Sequence, residues 1–128
     1  MENHNLKVLI VDDSELVVQR LFEILSEAEC IDHLYKANSY EQTVELIAIH
    51  KPDIVLLDIQ IPGKNGIELL SFIKHQYPTI ITIMLTNMVS EYYKDLCVSI
   101  GCNHFIDKSR DFEKITSIIK SYMPVANY

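Results

Sequence analysis

The chain has 128 residues, of which 48% are hydrophobic, and this is enough to build one core and predicts a single domain. A net charge of -7, from 11 basic and 18 acidic residues, disfavours direct binding to nucleic acid, because that affinity depends on clustered Lys and Arg. No stretch reaches the roughly 18 apolar residues of a membrane span, and the N-terminus lacks a signal sequence, so we expect a cytoplasmic protein without a membrane partner.

Short apolar runs rich in Val and Ile alternate with segments of helical periodicity. This alternation is typical of repeated βα units around a parallel sheet. The predicted strands cover residues 7–11, 33–37, 54–57, 79–85 and 103–107. The predicted helices cover residues 14–29, a segment that begins at 39, and residues 67–77, 90–100 and 111–122. The sequence therefore predicts one α/β domain.

Capping and turn-forming residues mark several of these boundaries. Ser39 and Gln42 have the spacing of a capping box at the start of the second helix. The loop at 62–66 is rich in turn formers, and Gly101 follows the fourth helix, where a left-handed residue often ends a helix.

Polar side chains follow four of the predicted strands at the point where each strand ends. Asp12 and Asp13 follow the first strand, Asp58 the third, Thr86 the fourth and Lys108 the fifth. Because the carboxyl ends of parallel strands lie at one edge of a sheet, we expect these side chains to lie close together. Open α/β folds bind their ligands at this edge.

The chemistry of this set predicts a phosphoryl-transfer site. Three carboxylates repel one another unless a cation lies among them, and Mg²⁺ prefers carboxylate oxygens. Lys108 and the Thr86 hydroxyl can bind the oxygens of an anion, so that Asp58 could form an acyl phosphate. Each residue alone also has an ordinary explanation, since Asp12 or Asp13 can cap the first helix and Lys108 can be a solvated charge. We favour the site because the strand ends together carry the residue types that one reaction needs.

The chain has three cysteines, Cys30, Cys97 and Cys102. This odd number includes no CxxC pair, and no cluster of cysteine and histidine has the spacing of a zinc site. We interpret all three as reduced and mostly buried thiols. A redox or metal role for Cys97 and Cys102 is the alternative, and it is disfavoured because neither has a basic neighbour placed to lower its pKa.

The sequence resembles the receiver domain of two-component response regulators over residues 5–122. The matching segments are Val11-Asp12-Asp13-Ser14, Leu57-Asp58 with Pro62-Gly63 and Asn65-Gly66, Leu85-Thr86-Asn87, and Gly101 through Phe105 to Lys108. The resemblance implies a flavodoxin-like (βα)5 three-layer sandwich with a parallel sheet in the strand order 2-1-3-4-5. It also implies that the chain accepts a phosphoryl group and is not an enzyme with a turnover substrate.

The resemblance assigns a role to each residue at the sheet edge. Asp58 would be the phospho-acceptor, with Lys108 and the threonine of the fourth strand as the other catalytic groups. Asp13 and Asp58 would bind Mg²⁺ or Mn²⁺ directly. Gln60 would add its backbone carbonyl oxygen, and Asp12 would act through water.

The resemblance further implies a switch and a set of partners. Thr86 would move toward the phosphoryl group while Phe105 turns into the vacated space, although Phe105 equally suits a half-buried strand. A histidine kinase or phosphotransfer protein would supply the phosphoryl group. A downstream protein target would contact the fourth helix, the fifth strand and the last helix, and a homodimer through the last helices stays open.

Two positions depart from the receiver pattern. Ser109 follows Lys108 where receivers usually have proline after a cis peptide bond, and a cis bond costs about 2.5–4 kcal/mol before serine against about 0.5–1 kcal/mol before proline. We therefore expect either local strain or a rearranged loop, and this proline-free ending resembles a subset of receivers that often stand alone. Asn87 replaces a usually small residue and is expected to alter the lifetime of the phosphate.

Other functions stay open. The chain would be a pseudo-receiver if it signals without phosphate, or the receiver of a longer DNA-binding response regulator if the gene extends beyond Tyr128. We expect a stand-alone receiver. Because no output domain follows Tyr122, either its partner is another protein or the chain is the receiver of a longer regulator. A flavin enzyme or a phosphatase is disfavoured, because no Ser/Thr-rich phosphate loop follows the first strand and Gln60 stands where such a phosphatase has a second aspartate.

Overall fold

The computed structural model describes residues 6–88 and 90–122, in which strands and helices alternate along the chain. The strands are β1 (Leu6–Val11), β2 (Ile31–Ala37), β3 (Ile54–Leu57), β4 (Ile81–Thr86) and β5 (His104–Asp107). The helices are α1 (Glu15–Leu25), α2 (Tyr40–His50), α3 (Gly66–Gln76), α4 (Glu91–Ile100) and α5 (Lys114–Lys120). No helix in these ranges is long and apolar enough to span a bilayer. Residues 1–5, where we predict no signal sequence, lie outside the described ranges.

The strands form one parallel sheet in the order β2-β1-β3-β4-β5, which confirms the predicted fold. Val11 of β1 pairs with Leu57 of β3, and Thr86 of β4 pairs with Asp107 of β5. This register brings the carboxyl ends of the inner strands to one edge. The run Ile54–Leu57 is buried throughout, as its continuous apolar sequence requires of a strand that is covered on both faces.

Side chains alternate between the two faces of the sheet, and different helices cover each face. One face packs on α1 and α5, and its buried residues include Val8, Ile10, Leu21, Leu25, Leu56 and Ile119. The other face packs on α2, α3 and α4, and its buried residues include Leu9, Val11, Ile47, Leu57, Leu70 and Cys97. Because both faces are covered, polar chemistry is confined to the edges of the sheet.

Most of the described helices begin with a side-chain cap. The capping residues are Ser14, Ser39, Asn65 and Ser90. The predicted capping box is present in a modified form. Ser39 Oγ accepts a hydrogen bond from the N–H of Gln42 at 3.2 Å, but Gln42 Oε1 accepts from the N–H of Asn38 at 2.8 Å and not from that of Ser39.

Two predicted helix boundaries are wrong. The first helix ends at Leu25 and not near residue 29, because the chain turns there toward the core, where Cys30 is buried. The last helix covers Lys114–Lys120 and not 111–122. The N–H groups at its start bond to carbonyl oxygens three residues earlier, which is the pattern of a turn and not of an α-helix.

Candidate functional site

The loops after β1, β3 and β5 bring Asp12, Asp58 and Lys108 together at the carboxyl edge of the sheet. The N–H of Asp58 donates to the carbonyl oxygen of Val11 at 3.1 Å. The N–H of Lys108 donates to the carbonyl oxygen of Thr86 at 2.9 Å. These bonds continue the sheet ladder by one residue, so both side chains start from fixed backbone positions.

Lys108 joins the two carboxylates. Its ammonium donates to Asp12 Oδ2 at 2.6 Å and to Asp58 Oδ2 at 2.7 Å. All three side chains are buried, with exposed fractions of 9% for Lys108, 3% for Asp12 and 8% for Asp58. Two carboxylates in such a position would repel one another strongly, and the ammonium supplies a cation between them from within the chain.

The other oxygens of these carboxylates accept hydrogen bonds from the backbone. Asp12 Oδ1 accepts from the N–H of Ser14 at 2.9 Å, and Asp58 Oδ1 accepts from the N–H of Gln60 at 3.3 Å. Both contacts form turns in which Asp binds the residue two positions later. Ser14 itself caps α1 by accepting from the N–H of Val17, so the helix does not need Asp12 or Asp13 as its cap.

Burial and charge act on the pKa values of this group in different ways. Burial holds the pKa of Asp12 above its usual range, and hydrogen bonds from Lys108 and Ser14 offset part of that rise. For Lys108, burial lowers the pKa, but the hydrogen bonds and negative charges of Asp12 and Asp58 together outweigh it. The pKa of Lys108 therefore lies above its usual value, and the side chain is a cation at neutral pH.

Asp13 follows Asp12 and is exposed to solvent. In residues 6–88 and 90–122, no three carboxylate, imidazole or thiol groups lie close enough together to hold a metal ion. The donor chemistry still fits a divalent cation, because Asp12, Asp13 and Asp58 outnumber the single positive charge of Lys108 and offer oxygen ligands. A cleft of about 520 Å³, lined in part by Asp12, Asp13 and Glu15, opens beside them. The metal site stays a prediction.

Thr86 and Phe105, the two predicted switch residues, lie on neighbouring strands. Thr86 ends β4 and is fully buried, and its hydroxyl oxygen accepts a hydrogen bond from the N–H of Met88 at 3.1 Å. The hydroxyl is thus engaged with the loop after β4. Phe105 is half-buried in β5 and packs on the face that carries α2, α3 and α4. Their role as a switch stays a prediction.

The turn that carries Lys108 contains two residues that our sequence analysis did not assign to the site. We expected either a strained cis peptide bond between Lys108 and Ser109 or a rearranged loop. The bond is trans, so the loop is rearranged. Asp107 Oδ1 accepts from the Ser109 N–H at 2.9 Å and from the Ser109 hydroxyl at 2.7 Å. The spacing of an Asp two residues before a Ser favours such a turn and could have predicted it.

Gly66 is a third residue that the sequence analysis did not assign to the site. Its N–H donates to the carbonyl oxygen of Ile59 at 2.7 Å. A Cβ atom at this position would lie 2.0 Å from the carbonyl oxygen of Asp58. Only glycine therefore allows α3 to begin so close to the backbone that carries Asp58.

The cysteines are free thiols, with Cys30 and Cys97 buried and Cys102 half-buried. Burial raises the pKa of Cys97 to about 11, with the charge of Cys102 as a smaller cause. The expectation that no basic neighbour is placed to lower the pKa is wrong for Cys102. The positive charge of Lys74, whose ammonium donates to Asn103 Oδ1 at 2.7 Å, favours a lower pKa of the Cys102 thiol. Burial outweighs that effect and still raises the pKa of Cys102, as expected of an unreactive thiol.

The sequence model of the response regulator receiver domain matches residues 8–120 of the chain. The DNA-binding transcriptional activator EvgA of Escherichia coli strain K12 is 32% identical over 119 residues. That match covers 91% of this chain and 56% of EvgA, so the chain spans little more than half the length of this relative.

Solved structures give the same result for the fold. The BeF3-activated N-terminal receiver domain of Klebsiella pneumoniae RstA is 26% identical, with a TM-score of 0.83, and the match covers 91% of this chain and 97% of that one. A CheY-like response regulator receiver domain protein from Methanospirillum hungatei JF-1 is 23% identical, also with a TM-score of 0.83, over 91% of this chain and 92% of that one.

Proposed function

Because the chain belongs to the response regulator receiver domain family of two-component systems, we propose that it accepts a phosphoryl group on the Asp58 carboxylate and signals by changing its contacts with other proteins. The observation that carries this proposal is the pair of hydrogen bonds from Lys108 to Asp12 and Asp58. These bonds hold a cation against the carboxylate that follows the central strand β3. A phosphoryl group on Asp58 would bring further negative charge to the same ammonium.

In the proposed reaction, a carboxylate oxygen of Asp58 attacks the phosphorus atom of a phosphohistidine. An O–P bond forms, the P–N bond breaks, and the imidazole that leaves takes up a proton. Lys108 would bind one phosphoryl oxygen as a point charge. The Thr86 hydroxyl only accepts in its bond with the N–H of Met88, so its own proton can be donated to a second phosphoryl oxygen.

We propose Mg²⁺, or Mn²⁺ in its place, as the cofactor. Asp13, Asp58 and the backbone carbonyl of Gln60 would hold it, with Asp12 acting through water. When bound, the ion neutralises negative charge on the phosphoryl group and its acceptor. The support is the excess of carboxylate over ammonium charge and the open cleft beside Asp12 and Asp13.

Receiver domains of response regulators interact with histidine kinases and with downstream effectors. For this chain we propose that α4, β5 and α5 form the effector surface, with Thr86 and Phe105 as the switch that links it to Asp58. Tyr92 and Val98 of α4 support this choice, because they are large hydrophobic side chains with exposed fractions of 70% and 56%. A second copy of the chain could use the same surface. The chain would have no turnover substrate beyond its own acyl phosphate.

DNA binding is described for EvgA, and the match to this chain covers 56% of that protein. Our proposal concerns the receiver alone. Direct DNA contact by this chain is disfavoured by its net charge of -7.

Labelling with acetyl phosphate in the presence of Mg²⁺ tests the proposal. We expect the native chain to take up one phosphoryl group, as measured by intact-protein mass spectrometry, and Asp58→Asn to take up none. Asp95→Asn removes an exposed carboxylate of α4 and should label like the native chain. A native chain that takes no label would contradict the proposal and favour the pseudo-receiver. Full labelling of Asp58→Asn would show that the acceptor is another residue.

A further inference from the structure

The turn between β5 and α5 carries Lys108 to the carboxylates, and its hydrogen bonds converge on one residue. Asp107 is the last residue of β5. Its carbonyl oxygen accepts from the N–H of Arg110 at 3.2 Å and from the N–H of Asp111 at 2.9 Å. Its Oδ1 atom accepts from the N–H and the hydroxyl of Ser109 at 2.9 and 2.7 Å. Both the backbone and the side chain of Asp107 therefore hold the turn.

Lys108 lies in the middle of this arrangement. On the strand side, its N–H donates to the carbonyl oxygen of Thr86 at 2.9 Å. On the other side, Ser109 is bound back to Asp107. The ammonium of lysine lies at the end of a flexible four-carbon chain. The positions it can reach depend on where the Lys108 backbone lies and on the direction of its Cα–Cβ bond. Bonds that fix the backbone on both sides of Lys108 therefore limit where the ammonium can go.

The far end of the turn is held separately. Phe112 is buried, and the guanidinium of Arg20 on α1 lies 4.5 Å from the centre of its ring. This contact holds the start of the last helix against α1, but it does not touch Lys108 or Ser109. Besides the backbone bonds to the Asp107 carbonyl oxygen, Ser109 in the middle of the turn is held by its two bonds to the Asp107 side chain.

The identity of the residue after Lys108 explains why the Asp107 side chain is needed to hold the backbone there. Receivers usually have proline there, whose ring restricts the backbone covalently. Ser109 has no such ring, and its peptide bond to Lys108 is trans. Hydrogen bonds from the Ser109 hydroxyl and N–H also hold the pKa of Asp107 below its usual range, which agrees with a carboxylate that is engaged in the turn.

We propose that Asp107 is a positioning residue for Lys108, and that its side-chain bonds to Ser109 orient the turn so that the ammonium reaches Asp58 and the phosphoryl group formed there. This inference rests on the proposed function, because it concerns the same phosphorylation. Asp107 would not touch the phosphoryl group. Its loss would let the ammonium occupy other positions, and it would slow the reaction without removing any reacting atom.

The first test compares rates of Asp58 labelling by acetyl phosphate with Mg²⁺. Asp107→Ala removes both side-chain bonds, and we expect about a tenfold slower rate, because a small misplacement of a catalytic group has an effect of that order or larger. Asp107→Asn keeps an oxygen that can accept both bonds, so its rate should lie within about twofold of the native rate. Failure of the Asn variant to restore the rate would overturn the inference.

The matched control is Asn103→Ala, at the opposite end of β5. Asn103 Oδ1 accepts from the N–H of Thr82 at 2.9 Å and from Lys74 Nζ at 2.7 Å, so its loss should lower the urea midpoint. We expect this variant to label at the native rate. The inference is wrong if Asn103→Ala slows labelling as much as Asp107→Ala does, or if Asp107→Ala labels at the native rate. A native chain without label would instead contradict the proposed function.

A second readout does not depend on phosphorylation. Sulfo-NHS-acetate acylates accessible lysines, and mass spectrometry gives the rate at Lys108 relative to the exposed Lys94. In the native chain Lys108 is bound between two carboxylates and should react slowly. We expect Asp107→Ala, but not Asn103→Ala, to raise this relative rate about fivefold or more, as for a side chain no longer held in one position. An unchanged rate in Asp107→Ala would overturn the inference even if labelling slowed.

Discussion

The side chains of Asp12, Asp58 and Lys108 form a buried group with two negative charges and one positive charge. Burying such a group is expensive, and well-packed hydrophobic residues in the same volume are often as stabilising or more so. Stability alone therefore does not explain why the chain carries these residues at three strand ends. The phosphorylation that we propose for Asp58 would explain a buried group that stability alone does not.

Removal of Lys108 should show how much free energy it costs to bury the two carboxylates without a cation. Lys108→Ala leaves Asp12 and Asp58 buried without their cation, and we expect it to lower the free energy of unfolding by about 3 kcal/mol in EDTA. Added Mg²⁺ should restore part of the loss, because it can neutralise the same carboxylates. Urea denaturation with and without Mg²⁺ measures both effects.

The control for this prediction is Lys114→Ala. Lys114 pairs with Asp111 at 3.1 Å, but the two side chains are 68% and 37% exposed, so the loss should stay below about 1 kcal/mol. Equal losses in the two variants would contradict our interpretation of the buried group.

At the scale of helices and strands, the site depends on how closely the elements approach the sheet edge. Each charged residue follows a strand, and caps such as Ser14 and Asn65 begin the next helix within a few residues. Helix α3 approaches the backbone of Asp58 and Ile59 so closely that its first residue must be glycine, Gly66. Helix α3 therefore helps to determine where Asp58, the proposed acceptor, lies.

Gly66→Ala should disturb this approach. The added Cβ would meet backbone atoms of Asp58 and Ile59, which cannot move without shifting the Asp58 side chain. We expect a loss of at least about 2 kcal/mol in the free energy of unfolding, together with slower labelling of Asp58 under conditions where the variant is folded. Urea denaturation and acetyl phosphate labelling measure the two effects.

Gly101→Ala serves as the comparison for this change. Gly101 ends α4 with a φ of 118°, so alanine should also be strained there, by about 1–3 kcal/mol. Its nearest neighbours are side-chain atoms of Lys74 at 3.7 Å or more, and no part of the site lies there. Labelling should stay at the native rate in Gly101→Ala, and native-rate labelling in Gly66→Ala would refute the role of Gly66.

At the scale of the whole molecule, the sheet separates two cores, and the site lies where neither covers it. One core joins the sheet to α1 and α5, and the other joins it to α2, α3 and α4. Asp13 lies just after β1 and Asp58 just after β3. An ion bound to both carboxylates would therefore tie together neighbouring strands of the folded chain. Any ligand that binds the folded state and not the unfolded one adds to the stability of the entire domain.

Mg²⁺ should therefore raise the melting temperature of the chain. At a concentration ten times its dissociation constant, one bound ion adds about 1.4 kcal/mol to the free energy of unfolding. We expect a smaller rise in Asp13→Asn and Asp58→Asn, a native rise in Asp95→Asn, and full reversal by EDTA in each case. Differential scanning fluorimetry over a Mg²⁺ series measures these shifts. The same rise in all variants would mean that the ion binds elsewhere.

The alternation of apolar runs and amphipathic segments predicted the α/β class and the strands, because these patterns arise from residues a few positions apart. The run Ile54–Leu57 has the same bounds in the sequence prediction and in the structure. The cap at Ser39 was predictable for the same reason. The first helix was predicted too long, because its end depends on where the chain enters the core, which local periodicity does not record.

For the candidate site too, some features follow from the local sequence and others only from the tertiary structure. The sequence by itself determined which residue types follow the strands, and hence that acids, a hydroxyl and an amine lie at one edge. Only the tertiary structure decided that Lys108 contacts Asp12 and Asp58, which are 96 and 50 positions away in the chain. It also decided that α3 approaches Asp58 closely enough to require Gly66. Such contacts depend on how the strands pair and how the loops between them turn, and no local pattern of residues encodes these distances.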